Sequence, residues 1–269
     1  MLGAIIGDIV GSRFERNNTK TKDFGLFASA CHPTDDTVMS LAIAQALLDA
    51  RPEYKNLEAC AIKNMQRIGR QYRHVGYGGM FWRWLDSDNP TPYDSYGNGS
   101  AMRVGACGFA ARSLEEALAL SDAVTRPTHG HPEGMKGARA TAAAIYLARS
   151  GTSLPEIRQH LVAHYYPLDF TLDAIRENYK FDVSCQGSVP QALVAFLESS
   201  SFEDAIRGAI SIGGDSDTIA AITGSIAQAH YGIDDWMRQR ALEYLDDTQR
   251  SILLAFEAAY PFNRLSETC

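Results

Sequence analysis

Cysteine is scarce in this sequence. The five cysteines among 269 residues are an odd number, and no two stand in C-x-x-C spacing: Cys31, Cys60, Cys107, Cys185 and Cys269. This pattern argues against a disulfide framework and against a zinc site. A reduced cytoplasm is therefore the simplest compartment to expect.

Long apolar runs and an excess of basic residues are also missing. No apolar run approaches the roughly 18 residues that a membrane helix needs. The apolar segment 1–7 lacks a basic region and reaches Asp8 too early for a signal peptide. The net charge of −7 provides no basic surface for nucleic acid. We therefore expect neither a membrane nor a nucleic acid as a partner.

Alternation of apolar and polar residues is absent over any length that would predict a strand. Apolar residues recur instead with helical spacing, over residues 2–11, 36–50, 56–72, 99–112, 114–124, 135–149, 154–163, 188–198, 202–212, 217–230 and 236–257. Segment 165–187 has no strong period and could be a loop crossing the face of the domain. The sequence thus predicts an all-α fold, with one compact domain over residues 1–269.

Glycine marks one face of the first predicted helix. Gly3, Gly7 and Gly11 recur every four residues, and such a bare face lets another backbone come close. The polar segment 12–33 that follows is an unusually long loop, and long loops are often functional. Further along, the aromatic residues of segment 80–85 are expected to lie in the core.

Paired carboxylates and hydroxyls stand at the start of two apolar helices. One stretch is Thr34-Asp35-Asp36-Thr37, and the other is Gly213-Gly214-Asp215-Ser216-Asp217-Thr218. Helix capping alone would explain one carboxylate in each. Two at the edge of a core are costly unless paired or bound to metal, and few basic residues lie nearby. Oxygen-only ligands favour magnesium, manganese or calcium over zinc.

Three further segments carry candidate functional residues. Glu15 begins the long loop and could swing over a site, or be a solvated glutamate. In 93–103, glycines beside a helix start could form an anion site, and Tyr96 could stack on a ring or be a packed core tyrosine. In 125–132, we expect His129 to hydrogen-bond a ligand or hold a loop, and His131 to be structural.

In combination, these segments resemble the ADP-ribosylglycohydrolase family. The matching motifs follow the family's order and span nearly the whole chain: Gly-Asp-x-x-Gly-Ser-x-x-Glu at 7–15, Thr-Asp-Asp-Thr at 34–37, Gly-Asn-Gly-Ser-Ala-Met-Arg at 97–103, Thr128-His129, Gly-Ser-Val-Pro at 187–190 and Gly-Gly-Asp-Ser-Asp-Thr at 213–218.

The resemblance implies an all-helical fold with two Mg²⁺ or Mn²⁺ ions in a cleft at helix N-termini. By motif, the metal ligands would be Glu15, Thr34, Asp35, Asp36, Asp215, Asp217 and Thr218. The catalytic residues would be Glu15, Asp35 and Asp36. An ADP-ribose or an ADP-ribosylated protein would be bound by Tyr93, Asp94, Ser95, Tyr96, Gly97, Asn98, Gly99 and His129.

The implied reaction is hydrolysis at C1″ of the distal ribose, with Glu15 giving acid or base help. Two alternatives stay open. A helical isoprenoid synthase would use a D-D-x-x-D motif, but segment 35–39 lacks the closing aspartate. A non-catalytic ADP-ribose binder or structural relative of the same fold would be expected to lose acids, whereas all the implied ligands are present.

Overall fold

A computed structural model describes residues 1–261 of the chain, and within that range it is helical and contains no strand. The helices are α1 (Leu2–Ser12), α2 (Asp35–Ala50), α3 (Leu57–Gly69), α4 (Gly79–Asp86), α5 (Gly105–Ala110), α6 (Leu114–Thr125), α7 (Pro132–Arg149), α8 (Leu154–His164), α9 (Leu172–Ile175), α10 (Cys185–Leu197), α11 (Phe202–Ser211), α12 (Ser216–Tyr231), α13 (Asp235–Glu243) and α14 (Asp247–Ala259). The predicted all-α, single-domain fold is confirmed.

Helix α12 is the central element of the fold. Its residues from Ser216 to Ala229 are all buried, and it packs against α1, α7, α10 and α11. The apolar residues of the surrounding helices join one continuous hydrophobic core. Because α12 is enclosed on all sides, the acidic residues at its first turn are carried into the interior.

The glycine face of α1 allows an unusually close approach to α12. A Cβ atom at Gly3 would overlap the carbonyl oxygen of Gly224, and one at Gly7 would overlap that of Ala220. At Gly11 the nearest atom to such a Cβ would be the Cα of Asp217, at 2.5 Å. The bare face predicted from the sequence is therefore confirmed, and it brings α1 directly beside the start of α12.

Two predicted helices differ from the structure. The prediction of one helix over 99–112 is wrong in its first part. A 3-10 turn at Asn98–Ser100 stands there instead, before the short α5. Asn98 donates its backbone N–H to the Val183 carbonyl (2.7 Å), and its side chain is bonded to other segments. These long-range bonds override the local helical period.

The helix predicted over 236–257 is in fact two helices, α13 and α14. The chain breaks between them at residues 244–246, because Asp246 starts a new helix. Its carboxylate accepts from the Gln249 N–H (2.9 Å), and the Gln249 side chain accepts from the Asp246 N–H (3.1 Å). This reciprocal capping box is a strong helix-start signal inside a continuous apolar period.

Helix α4 lies where the sequence predicted no helix, whereas the predicted loops follow the expectations. Residues 13–34 contain no regular element, and 165–184 form a loop with only α9 inside it. Of the aromatic segment, Phe81 and Trp84 are buried in the core, whereas Met80 is exposed. Cys31, Cys60, Cys107 and Cys185 are free thiols, and Cys269 lies outside the described residues. Within residues 1–261, no helix combines the length and apolar character required to span a bilayer.

Candidate metal centre and ligand cleft

A cleft with a cavity of about 480 Å³ opens where the N-termini of α2 and α12 meet. Its floor is formed by the first turns of these two helices. Its walls come from Glu15 and Arg16, from the segment 75–81, from the loop 93–99, and from Met102, Arg103, His129, Phe181 and Val183. All the predicted site residues except Asp94 and Tyr96 therefore converge from distant parts of the chain on one cavity.

The first turn of α2 carries Asp35 and Asp36, after Thr34 as N-cap. The backbone N–H of Asp35 donates to the Val75 carbonyl (2.8 Å), which fixes the helix start against the cleft wall. Gly76 there has φ of +108°, and a side chain at Gly76 would come within 3.0 Å of the Asp35 carboxylate. Glycine therefore satisfies both the backbone conformation and the space beside Asp35.

The first turn of α12 follows two consecutive left-handed glycines, Gly213 (φ +70°) and Gly214 (φ +75°). Asp215 occupies the N-cap position but makes no capping hydrogen bond. Its Oδ2 instead accepts from the Asn98 side chain (2.7 Å). On the next turn, Thr218 donates from Oγ1 to Asp36 Oδ2 (3.2 Å), which joins the two helix starts.

Asp8 is a buried acid that the sequence reasoning left without a role. It lies on α1, fully buried, and accepts from the backbone N–H of Thr34 (2.9 Å) and of Thr37 (3.0 Å). The hydroxyls of the same two threonines also donate to it, at 2.6 and 2.5 Å. Its sequence signal was a carboxylate inside an apolar, glycine-faced helix, a costly placement without partners.

We call Asp8, Asp35, Asp36, Asp215 and Asp217 the acidic cluster. One carboxylate oxygen from each of Asp8, Asp36 and Asp217 lies within 4.8 Å of the others. Among the described residues, Oδ1 of Asp36 and Oδ1 of Asp217 are buried with no hydrogen-bond partner. Within the same range, no lysine or arginine forms an ion pair with the cluster.

The electrostatics of the acidic cluster favour a cation. Burial, with repulsion from the Asp8 and Asp215 carboxylates, raises the pKa of Asp35 to about 8. Burial and neighbouring carboxylates also raise the pKa of Asp36 and of Asp217 well above the ordinary value. Unpartnered buried carboxylate oxygens fit a bound hard cation, since oxygen ligands are those that Mg²⁺, Mn²⁺ and Ca²⁺ take.

Glu15 lies just after α1, partly exposed, on the wall of the cleft. Its carboxylate pairs with the exposed Arg16 (3.1 Å). The loop that carries it is fastened by Asn18, whose side chain donates to the Gly214 carbonyl and accepts from the Gly214 N–H, both at 2.9 Å. The long loop thus places a carboxylate at the mouth of the cleft, beside the acidic cluster.

The loop 93–99 contributes five of its seven residues to the cleft wall: Tyr93, Ser95, Gly97, Asn98 and Gly99. The Gly97 N–H donates to Ser95 Oγ (3.0 Å), and the loop is tied to the segment before α10 through Asn98 and Val183. These N–H groups are therefore already bonded within the protein. The Asn98 amide, predicted to touch substrate, also holds Ser188 (3.0 Å) and Asp215.

Asp94 and Tyr96 lie in the same loop but outside the cavity lining. Asp94 forms an isolated antiparallel bridge with His129. Tyr96 is 52% exposed, so the core-tyrosine alternative is wrong, and its ring lies 5.3 Å from the His131 ring. His131 caps α7 by accepting from the Glu133 N–H (3.1 Å), the structural role expected for it.

His129 lies on the cleft wall beside Tyr93, Arg103 and Thr128. We call these four residues the histidine wall. The Nδ1 of His129 is 2.8 Å from Thr128 Oγ1, and the Tyr93 ring is 6.3 Å away. Burial, and secondarily the Arg103 charge, lower the pKa of His129 well below its ordinary value. The imidazole is therefore neutral near pH 7.

Arg103 is the second functional candidate that the sequence reasoning left unassigned. It is only 1% exposed, and it lies with its guanidinium 5.7 Å from the Phe81 ring centre. The motif at 97–103 had included this arginine without giving it a role. A buried arginine is signalled by sequence only weakly, because most arginines lie at the surface.

Comparison with known proteins identifies the family. The family model for ADP-ribosylglycohydrolase matches residues 1–264. The chain is 28% identical to the human ADP-ribosylhydrolase ARH3 (Homo sapiens), over 87% of this chain and 85% of that protein. It is 27% identical to the ADP-ribosylarginine hydrolase Tri1 of Pseudomonas putida (strain GB-1), over 90% of this chain and 73% of that protein.

Among solved structures, an ADP-ribosylglycohydrolase-related protein complex shares the fold. The TM-score is 0.70 at 24% sequence identity, covering 97% of this chain and 95% of the other. Family and relatives together support ADP-ribosyl hydrolase activity, and they agree with the motifs and with the acidic cleft. The chain belongs to the ADP-ribosylglycohydrolase family.

Proposed function

We propose that this protein is a metal-dependent hydrolase that removes ADP-ribose from modified protein side chains by cleaving the glycosidic bond at C1″. The observation that supports this most strongly is the acidic cluster, with buried carboxylate oxygens that lack partners among the described residues at the floor of an open cleft. Such an arrangement is costly in a protein that does not bind a cation there.

Two Mg²⁺ or Mn²⁺ ions would be held by Thr34, Asp35, Asp36, Asp215, Asp217 and Thr218, with Glu15 at the edge. When bound, the ions would orient the ribose hydroxyls and make a nearby water easier to deprotonate. Asp8 would support the metal ligands rather than serve as one of them, because its oxygens already accept four hydrogen bonds from Thr34 and Thr37. It would hold the start of α2 in place.

Glu15 would serve as the acid or base of the reaction. As an acid it would give a proton to the leaving side-chain atom, and as a base it would take one from the attacking water. Its position on the cleft wall, its partial exposure and its tethered loop support this role. A glycosidase usually needs two carboxylates, and the ions would take over the role of the second as a base by lowering the pKa of a nearby water.

The other side of the cleft would bind the ADP-ribose. Tyr93, Ser95, Gly99 and His129 line this side and would offer polar atoms to the diphosphate and riboses, and Gly97 lines it without a side chain that would block the ligand. Tyr96 presents an exposed ring just outside the cavity, where an adenine could stack. Asn98 would contribute through its bond to Asp215, and Asp94 through its bridge to His129.

The decisive experiment offers the purified protein arginine-linked and serine-linked ADP-ribosyl peptides in Mg²⁺, in Mn²⁺ and in chelator. Free ADP-ribose is measured by mass spectrometry. We expect release from at least one peptide with metal, and its loss in chelator. Asp215→Ala and Asp35→Ala should lower metal affinity and turnover together, whereas Asp169→Asn, an exposed acid away from the cleft, should leave both unchanged.

A non-catalytic ADP-ribose binder of the same fold is the second candidate. It would show ADP-ribose binding without release from either peptide. Binding is measured separately by thermal shift, since occupancy at a hundredfold excess over Kd raises stability by about 2.7 kcal/mol. A melting temperature unmoved by millimolar ADP-ribose with Mg²⁺ would contradict both candidates and point to a different ligand.

A further inference from the structure

The histidine wall contains a short chain of hydrogen bonds that starts at a buried cation. Arg103 Nη2 lies 2.5 Å from Thr128 Oγ1 and 3.3 Å from the Val124 carbonyl oxygen. A guanidinium carries only donors, so Thr128 Oγ1 is the acceptor in the first of these bonds. On its other side, the same hydroxyl oxygen is 2.8 Å from His129 Nδ1.

The direction of the second bond follows from the first. Thr128 is fully buried, and its hydroxyl has one hydrogen to donate. If His129 Nδ1 carried a hydrogen and donated it, the Thr128 hydrogen would have no acceptor among the described residues. An unpartnered buried donor is costly. Thr128 therefore donates to His129 Nδ1, which must be the bare, accepting nitrogen.

The hydrogen of the neutral imidazole is then on Nε2. That nitrogen faces the loop 93–99: a Cβ atom built at Gly99 would be 3.4 Å from it, and one at Gly97 would be 3.7 Å from it. Both glycines and His129 line the cleft. Because neither glycine has a side chain to cover the imidazole edge, the Nε2–H can reach an oxygen of a bound ligand.

We propose that Arg103 and Thr128 are positioning residues that fix His129 as the Nε2–H tautomer, so that it donates a hydrogen bond to an oxygen of the ligand. The assignment of the ligand as ADP-ribose rests on the proposed function, whereas the tautomer does not. His129 acts as a donor of fixed direction and takes no proton from the substrate.

The tautomer is read directly by long-range ¹H–¹⁵N correlation on ¹⁵N-histidine-labelled full-length protein near neutral pH. His129→Gln identifies the signal. We expect the pattern of an Nε2–H imidazole, with Nδ1 shifted as an acceptor, in the ligand-free protein and with ADP-ribose. An Nδ1–H pattern or a doubly protonated ring would overturn the proposal whatever the protein hydrolyses.

A matched pair of variants tests the positioning role. Thr128→Val keeps the shape but removes the hydroxyl, and Thr128→Ser keeps the hydroxyl. In Thr128→Val we expect a tautomer mixture and a weakening of ADP-ribose binding by about tenfold, the size of one neutral hydrogen bond. Thr128→Ser should restore both. An unchanged spectrum in Thr128→Val would overturn the proposal.

Failure of the proposed function and failure of the proposed His129 hydrogen bond would give different results. If wild-type protein neither binds ADP-ribose nor releases it from peptides, the proposed function fails, and the ligand-free spectrum still decides the tautomer. If wild-type protein binds and hydrolyses normally but Thr128→Val binds ADP-ribose as tightly as Thr128→Ser, the donated hydrogen bond is wrong while the function stands. Should Thr128→Val fail to fold, the wild-type spectrum decides the assignment of the tautomer.

Discussion

The acidic cluster and the histidine wall line the same cleft, yet they are built in opposite ways. The cluster gathers like charges and leaves Asp36 and Asp217 with buried oxygens that have no partner in residues 1–261. The wall buries a cation as well, the Arg103 guanidinium. Its Nη2 donates to Thr128 and to the Val124 carbonyl, while Arg103 Nε has no partner in residues 1–261, and His129 is neutral. The cluster holds several like charges that a cation would neutralise, whereas the wall holds a single charge bonded to neutral groups.

The acidic cluster and the histidine wall should therefore respond differently to metal and to pH. Interactions that a bound ion makes with the cluster are absent until the ion arrives, so the cluster should depend strongly on metal and on pH. The wall is fixed by hydrogen bonds within the protein and should be insensitive to metal. Variants that affect one side and spare the other therefore separate catalysis from binding.

The largest effect is expected for Glu15→Gln, on the cluster side of the cleft. If Glu15 transfers protons, turnover should fall by roughly 10²–10⁴, the usual contribution of a positioned acid or base. ADP-ribose affinity and melting temperature should change far less, because the side chain is partly exposed and lies in a loop. Turnover is measured across a Mg²⁺ series, with the exposed Glu115→Gln as control.

The same series separates two roles for Glu15. If it is mainly a metal ligand, metal affinity falls with the rate and added Mg²⁺ restores part of the loss. Turnover close to wild type at every Mg²⁺ concentration would show that Glu15 is a solvated loop glutamate after all.

A smaller effect, on stability, is expected for Gly7→Ala. The added Cβ would overlap the Ala220 carbonyl and push α1 away from α12, and overpacking of this kind costs about 1–3 kcal/mol. Asp8 would move with α1, so metal affinity should fall as well, while the His129 tautomer signal stays. Chemical denaturation and metal titration measure the two effects.

Gly25→Ala is the matched control, since no atom lies within 4 Å of its added Cβ. It should leave stability and metal affinity near wild type. Equal stability of the two variants would mean that the close α1–α12 contact contributes little to the fold or to the cluster.

A separate effect is the pH dependence of stability in the metal-free protein. The pKa of Asp35 is raised from 3.8 to about 8 in the native state. Between these values the unfolded chain has lost a proton that the native protein keeps, so stability falls as pH rises. We expect the melting temperature in chelator to drop across this range, by roughly 2–4 °C per kcal/mol.

Mg²⁺ should remove most of this decline, because a bound cation stabilises the ionised carboxylates. Asp35→Asn in chelator should reduce the decline only in part, because the pKa values of Asp36 and Asp217 are raised as well. A melting temperature in chelator that rises from pH 5 to pH 8 would contradict the electrostatic description of the cluster.

Much of the site was predictable because its residues occur in short local patterns. The acids at 34–37 and 213–218 stand at helix starts, and a helix start can be recognised from apolar periodicity and capping residues. The roles of all the predicted site residues stay predictions, and Asp94 and Tyr96 in addition lie in the binding loop but outside the cavity lining. Neighbours in sequence on an irregular loop point in different directions, which local patterns do not resolve.

The sequence by itself determined most of the helices, the bare face of α1 and the acidic starts of α2 and α12, because each depends on residues a few positions apart. Tertiary structure decided which of these meet. Only packing of α1 beside α12 brings Asp8 to Asp36 and Asp217. Only the fold places Asn98 against Asp215, and Arg103 behind Thr128 and His129. These contacts join residues that are 25 to 209 positions apart in the sequence, and no local spacing pattern predicts a contact over such separations.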